Sequence, residues 1–321
     1  MNLAQLHDHL WQNPRRIVFA GEFTVAMLAA ARDLAQRGLA KPIIVGNPLQ
    51  VHALAEENKM HLHGVSVKKP LHDAQFDLYS RFYRKEVEPE LSYAAAKELL
   101  QQPLLYAALL IRHGQADLCF TSPGDVQTLL QAEAVFSKEA PFVSASALVY
   151  DEATGTMSIF ADILIQARPD AQGLARIALD SAHTFNKLSG AQAQVALLSF
   201  STKGSAQHPR VQTVRDALTI LQKENPALKV DGELQFDAAF VPEILHKKAP
   251  QSALSGAANV FVFPSLNAAD PALKIVQTLT SSTVIAPILQ GLHMPVHYVP
   301  ENADSEQIIR QVIIASSLLN D

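Results

Sequence analysis

From Ala258 to Gln277 the chain changes period in a way that few architectures accommodate. Ala258-Asn-Val-Phe-Val-Phe263 is a short apolar run, suited to a strand covered on both faces. It stops at Pro264-Ser-Leu-Asn267, and Asp270-Pro-Ala-Leu-Lys-Ile-Val-Gln277 resumes at helical spacing. A strand that ends in a polar loop and restarts as a helix is the repeating unit of an α/β sheet, and such sheets bind ligands at those loops.

The same alternation recurs upstream. Arg16-Ile-Val-Phe-Ala20 leads into Val25, Leu28, Ala31 and Leu34 at helical spacing, closed by Gly38. Pro42-Ile-Ile-Val-Gly46 precedes a helix opened by Pro48 and containing Val51, Leu54 and Ala55. One longer helix is predicted over Ser92 to His113, followed by a strand at Asp117-Leu-Cys-Phe-Thr121. Near Pro141 the texture changes. Phe142 to Tyr150 and Thr156 to Gln166 read as strands joined by Asp151-Glu-Ala-Thr-Gly155, a hairpin that marks a domain boundary near Val143. Beyond it the spacing predicts a helix over 170–187, a strand over 194–200, a helix over 209–223, a strand over 259–263 and a helix over 271–279. The 209–223 helix would bury Val211, Val214, Leu218 and Leu221 and leave Arg215, Lys223 and Glu224 in solvent. The predicted fold class is α/β, two domains with mostly parallel sheets.

Composition narrows the function classes. A chain of 321 residues, 48% of them hydrophobic, is long enough for two cores. A net charge of -5 argues against a nucleic-acid partner, which needs a concentrated positive surface. The N-terminus has no charged segment followed by an apolar one, and no apolar run reaches the ~20 residues of a membrane span, so a cytoplasmic protein without a membrane partner is expected. The lone Cys119 lies in an apolar run and reads as a buried thiol. Twelve histidines, including His61 and His63, form no metal-ligand pattern, and no metal is expected. Gly-x-Gly-x-x-Gly, a Walker-type loop and Gly-x-Ser-x-Gly are all missing from the sequence, which leaves nicotinamide cofactors, nucleoside triphosphates and the hydrolase elbow without support.

Leu198-Ser-Phe-Ser-Thr-Lys-Gly-Ser-Ala206 is the run best suited to an anion. Ser201, Thr202 and Ser205 offer hydroxyls, Lys203 a full charge, and Gly204 close backbone approach ahead of a helix with Pro209 in its first turn. Taken alone, it is equally a polar turn with a capping serine.

This run, together with Asp231-Gly-Glu-Leu-Gln-Phe-Asp-Ala-Ala239 and the Ala258 to Gln277 segment, closely resembles the second domain of the phosphate acetyltransferase and phosphate butyryltransferase family. The similarity runs from the Arg16 strand to about Pro295. It implies an isocitrate-dehydrogenase-like pair of α/β domains, residues 1–143 plus 297–321 and residues 144–296, with a cleft between them and a homodimer built through the second. The implied reaction is acyl-CoA plus phosphate to acyl phosphate plus coenzyme A. Coenzyme A and phosphate are then substrates, and no cofactor is tightly bound. In the family an aspartate deprotonates the thiol while serine and arginine side chains hold the phosphate. Carried over by position, the substrate-binding set is Ser201, Thr202, Lys203, Gly204, Ser205, Asn267, Lys274, Lys248, Asp162 and Ser122. Without the resemblance, Lys274 is equally the solvated face of an amphipathic helix, and Asp162 a polar residue ending a strand.

The catalytic positions depart from the family. After Pro295-Val296 the family reads Asn-Asp-Leu-Ser-Arg-Gly, where this chain reads His297-Tyr-Val-Pro-Glu-Asn302, so the serine becomes Pro300 and the arginine Glu301. The aspartate becomes Gln307, with Asp304 and Glu306 nearby. Arginine positions match Val25, Thr128 or Gln127, and Thr278, and a basic run becomes Glu86-Val-Glu-Pro-Glu90. Replacing an arginine ~4 Å from a phosphate by glutamate turns an attraction of about 4 kcal/mol, at an effective dielectric of ~20, into a repulsion of similar size. Standard activity is therefore expected to be weak or lost. Two alternatives stay open: a non-catalytic paralog that binds coenzyme A or acyl phosphate as a sensor or partner subunit, and an enzyme with another acyl donor using Asp304, Glu306 or Glu301 as base.

Overall fold

The computed structural model describes residues 3–122, 126–300 and 302–319. Among them the strands are β1 (Arg15–Ala20), β2 (Ala40–Val45), β3 (Ser66–Lys68), β4 (Leu118–Thr121), β5 (Ser144–Asp151), β6 (Thr156–Ala161), β7 (Gln194–Leu198), β8 (Lys229–Leu234), β9 (Val260–Val262), β10 (Thr283–Gln290) and β11 (Val296–Tyr298). The chain divides into two compact units, Leu3–Pro141 with Leu292–Asp321, and Phe142–Gly291.

The first unit is built on a parallel sheet in the order β11-β4-β1-β2-β3. Ile17, Val18, Phe19 and Ala20 of β1 are all buried, as a strand covered on both faces requires. Its start is tied to the start of β4: Asp117 accepts from the Arg16 backbone N–H at 2.6 Å and from its guanidinium at 2.5 Å. The helix Val25–Gln36 begins at Thr24, whose hydroxyl accepts from the Met27 N–H, and Pro48–Glu57 begins at Asn47 in the same manner.

The single helix predicted over Ser92 to His113 is in fact two, Tyr93–Leu99 and Pro103–Arg112. Pro103 cannot donate to a preceding carbonyl, and it holds Gln102 in extended conformation (φ -64°, ψ 125°), so the first helix ends and a second starts with proline at its first turn. Residues 104–110 of the second helix are all buried, making it the central helix of this unit. The C-terminal helix Ser305–Ser317 opens with a reciprocal cap between Asp304 and Gln307.

The second unit carries a six-stranded sheet in the order β10-β5-β6-β9-β7-β8. β5 pairs antiparallel with β6 and β10, and the pairs β6–β9, β9–β7 and β7–β8 are parallel. β6 ends at Ala161 instead of continuing to Gln166, because the buried Asp162 carboxylate collects the N–H groups of Leu164, Ile165 and Gln166 at 2.7–3.0 Å and bends the chain. The helix expected from Pro271 starts earlier, as Leu266–Leu279, and contains Pro271. Asn267 and Pro271 both face solvent, where water can satisfy the carbonyl that the proline leaves without a donor.

Both sheets are packed into α/β layers, and among the described residues no helix is long and apolar enough to cross a bilayer. Leu109→Ala, which removes a fully buried side chain from the central helix, is expected to lower the stability of the first unit by about 2–5 kcal/mol, read as a lowered urea midpoint.

Candidate functional site

Two regions of the structure carry the site residues expected from the sequence, one in each unit. In the second unit, the run Ser201–Ser205 leaves the C-terminal end of β7 and folds around a carboxylate of the protein itself. Glu233, next to the C-terminal end of β8 and 2% exposed, accepts from the Ser201 hydroxyl at 2.8 Å and from the Gly204 N–H at 2.9 Å. Arg215, on the helix Pro209–Glu224, completes the cradle with Nε and Nη2 at 2.9 and 3.0 Å from the two carboxylate oxygens. Burial alone would raise this acid. The Arg215 fork, the Gly204 N–H and the Ser201 hydroxyl outweigh it and hold the carboxyl at about 2. Arg215, which helical periodicity placed in solvent, is therefore half-buried and ion-paired, and Ala217 takes the fully buried place expected for Leu218.

The rest of the loop is closed in the same way. Every backbone N–H from Ser201 to Ala206 has a protein partner: Ser199 Oγ, Ser205 Oγ, the Glu233 carbonyl, Glu233 Oε1, the Thr202 carbonyl and Ser201 Oγ in turn. Thr202 exchanges hydrogen bonds with Gln235, and Lys203 pairs with the buried Asp231 and donates to the Gly232 carbonyl at 2.9 Å. The helix that follows is capped by His208, whose Nδ1 accepts from the Arg210 N–H, and not by a serine of the run. Within the chain, the Ser201 hydroxyl and the Gly204 N–H are directed at Glu233, and the Lys203 ammonium at Asp231.

Of the other expected residues in this unit, Asp162 caps the turn after β6. Lys248 is exposed and donates to Asp237 at 2.7 Å and Gln235 at 3.1 Å. Asn267 and Lys274 lie on the exposed side of Leu266–Leu279, and Lys274 has no ion pair among the described residues.

In the first unit, Ser122 lines a crevice of about 640 Å³ at the C-terminal ends of β1, β4 and β11. β2 and β3 extend the sheet to one side of β1 and β4 lies on the other, so the crevice stands where the strand order reverses. Its walls come from the turn after β1 (Gly21, Glu22, Thr24), the end of β4 (Thr121, Ser122), the start of Pro103–Arg112, Thr128 and Leu129 of the helix Val126–Glu133, and Tyr298 to Pro300. Gly21 has φ +109°, and a Cβ there would come within 3.1 Å of Ser122 Oγ, so the two loops meet only with glycine at this position. Among the described residues lining the crevice there is no lysine or arginine, and Glu22 supplies a carboxylate.

The remaining positions serve the scaffold. Asp304 and Gln307 cap a helix, Glu306 pairs with Arg37, and exposed Val25 opens the helix Val25–Gln36. His297 is buried against Phe120, its ring 5.6 Å away, and burial lowers its pKa to about 4. Cys119 is fully buried, which pushes its thiol pKa up and keeps it protonated. Glu301 lies outside the described residues. Among the described residues no group of three or more His, Cys, Asp and Glu side chains could hold a metal ion. Sequence reasoning missed Glu22, Tyr298 and the Glu233–Arg215 pair. For Glu233 the available signal was a pair of acids, Asp231 and Glu233, inside an otherwise strand-like run.

Parallel strands with helical crossovers, and a crevice at the strand ends where the sheet order reverses, define an α/β protein with a crevice where such folds place ligands. The phosphate acetyl/butaryl transferase family model matches residues 1–316. The chain is similar to the phosphate acetyltransferase of Bacillus subtilis (strain 168), 36% identical over 309 residues, 94% of each chain. Among solved structures it is similar to the EutD phosphotransacetylase from Staphylococcus aureus (TM-score 0.87, 29% identity, 99% of both chains) and to a phosphotransacetylase from Streptococcus pyogenes (TM-score 0.86, 33% identity, 99% and 98%). This chain belongs to the phosphate acetyl/butaryl transferase family.

Glu233→Gln tests the loop. A folded pKa near 2 against an ordinary 4.5 means that the carboxylate's contribution is complete above pH 4.5 and fades as the pH falls toward 2. The variant is expected to lose on the order of 1–3 kcal/mol at pH 7 and part of the acid sensitivity between pH 4.5 and 2, with faster hydrogen exchange at the Gly204 amide.

Proposed function

We propose that this chain keeps the fold of the phosphate acyltransferases and runs acyl-CoA plus phosphate to acyl phosphate plus coenzyme A weakly or not at all. The observation that carries this reading is the first-unit crevice, walled by hydroxyls, apolar side chains and Glu22, with no cation among its described lining residues. Acyl transfer from an acyl phosphate breaks the bond between the acyl carbon and the phosphate oxygen as a thiolate attacks. The departing phosphate needs fixed positive charge or donors aimed at it. Pro300, at the position where the family's serine falls, has no hydroxyl and no N–H to give. Ser201 to Ser205 and Lys203 then act by shaping the loop on Glu233 and Asp231, while Asn267 and Lys274 keep side chains free for a substrate.

A homodimer is supported by exposed apolar side chains of the second unit, with Phe236 and Phe240 stacked at 5.5 Å and Ile275 and Leu279 more than half exposed. Sedimentation velocity at micromolar concentration is expected to give a particle of twice the 34.9 kDa chain, and a monomer would remove this part of the reading.

Formation of acetyl-CoA from acetyl phosphate and coenzyme A measures the activity directly. Turnover is expected well below the ~1 to 1000 per second of ordinary enzymes, and a value inside that range overturns the proposal. Pro300→Ser with Glu301→Arg is expected to recover only a small part of the activity, and adding Thr128→Arg more, because groups that act as a unit fail together.

A further inference from the structure

Tyr298, at the end of β11, is the polar group in the first-unit crevice that neither the fold nor the family resemblance accounts for. Its side chain is packed into the unit, with 7% of the residue exposed. Among the described residues its hydroxyl has no hydrogen-bond partner, and it is not among the sealed polar atoms left without one, so the oxygen has an opening and the residue lines the crevice. Burial raises the pKa of this phenol, so at neutral pH the group is a proton-bearing donor and not a base. A buried tyrosine ordinarily finds a partner for its hydroxyl.

The neighbouring groups define the chemistry of that missing partner. Ser122 and Thr128 line the same crevice, half-buried, with hydroxyls that make no hydrogen bond among the described residues. Met27, Leu104, Leu129 and Val299 provide apolar wall, and Glu22 stands exposed with no ion pair among the described residues. The described lining therefore holds neutral donors, apolar surface and one negative charge. A phosphate group would enter without a counter-charge and against a carboxylate, whereas an uncharged carbonyl oxygen needs only a neutral donor.

We propose that this crevice takes an uncharged acyl carbonyl group on a short apolar chain in preference to a phosphate, and that the Tyr298 hydroxyl donates to the carbonyl oxygen and sets that preference. This rests on the reading of a crevice unable to hold phosphate, yet the two fail separately. Turnover with acetyl phosphate sinks that reading and leaves the neutral site standing, while absence of both turnover and neutral binding sinks this one alone.

The test is equilibrium binding to the full-length chain, with S-acetyl-N-acetylcysteamine as the uncharged probe and acetyl phosphate as the anionic one. Binding is followed by NMR of ring-labelled tyrosine, with the Tyr298 signal assigned by its loss in Tyr298→Phe. The thioester is expected to shift the Tyr298 signal saturably and acetyl phosphate to leave it in place. Tyr298→Phe retains the ring and its packing, and it should weaken thioester binding about tenfold, the worth of one hydrogen bond to a desolvated group. Thr128→Arg should turn the preference toward acetyl phosphate. No saturable shift with the thioester, acetyl phosphate binding as tightly as the thioester, or unchanged affinity in Tyr298→Phe would each overturn the proposal. The relative affinities of the two probes, measured by titration calorimetry on the unaltered chain, need no variant to fold.

Discussion

A carboxylate buried at the end of a β-strand is the constraint on which the second unit turns. Glu233 faces inward from β8, and an ionised acid buried there is tolerable only with its lone pairs filled and its charge balanced. Arg215 supplies the charge, and the Ser201 hydroxyl and Gly204 N–H fill the remaining positions. The path of the chain after β7 follows from this requirement. The loop has to curl back over β8 to reach the acid, and Asp231 repeats the arrangement two residues earlier with Lys203 and Ser252. Two acids of one strand thus consume the cations and donors that a bare reading of Ser201–Ser205 would reserve for a ligand.

The first unit distributes its charge differently. Its crevice stands where parallel sheets place ligands, since strand ends and helix starts converge there, and its lining is hydroxyl-rich and apolar. The acids near the C-terminus have scaffold duties: Asp304 closes a helix end and Glu306 meets Arg37 on the surface. Neither is available as an unencumbered base. Its described lining residues include no lysine or arginine and carry the hydroxyls of Ser122, Thr128 and Tyr298.

Some elements were plain from local pattern and others were hidden by it. β1 and the helix Val25–Gln36 follow from an apolar run, a threonine cap and a glycine exit, all within a few residues of one another. The break at Pro103 was equally local, yet continuous helical spacing on both sides masked it. Pro271 misled in the opposite direction: it reads as a helix start, and the helix passes through it because its exposed side lets water replace the lost bond. β8 escaped because Asp231 and Glu233 interrupt its apolar alternation, and the partners that make them tolerable lie elsewhere in the chain.

The sequence by itself determined the alternation of strands and helices and the mostly parallel sheets. Those are properties of spacing and of single positions, and they are carried by interactions a few residues long. Only the tertiary structure decided that Arg215 is a half-buried counter-ion and not a solvated face, that the serine run embraces Glu233, and that the Tyr298 hydroxyl has no protein partner among the described residues. The physical reason is separation along the chain. Arg215 and Ser201 lie 18 and 32 residues from Glu233, and strand order, not sequence distance, brings them together.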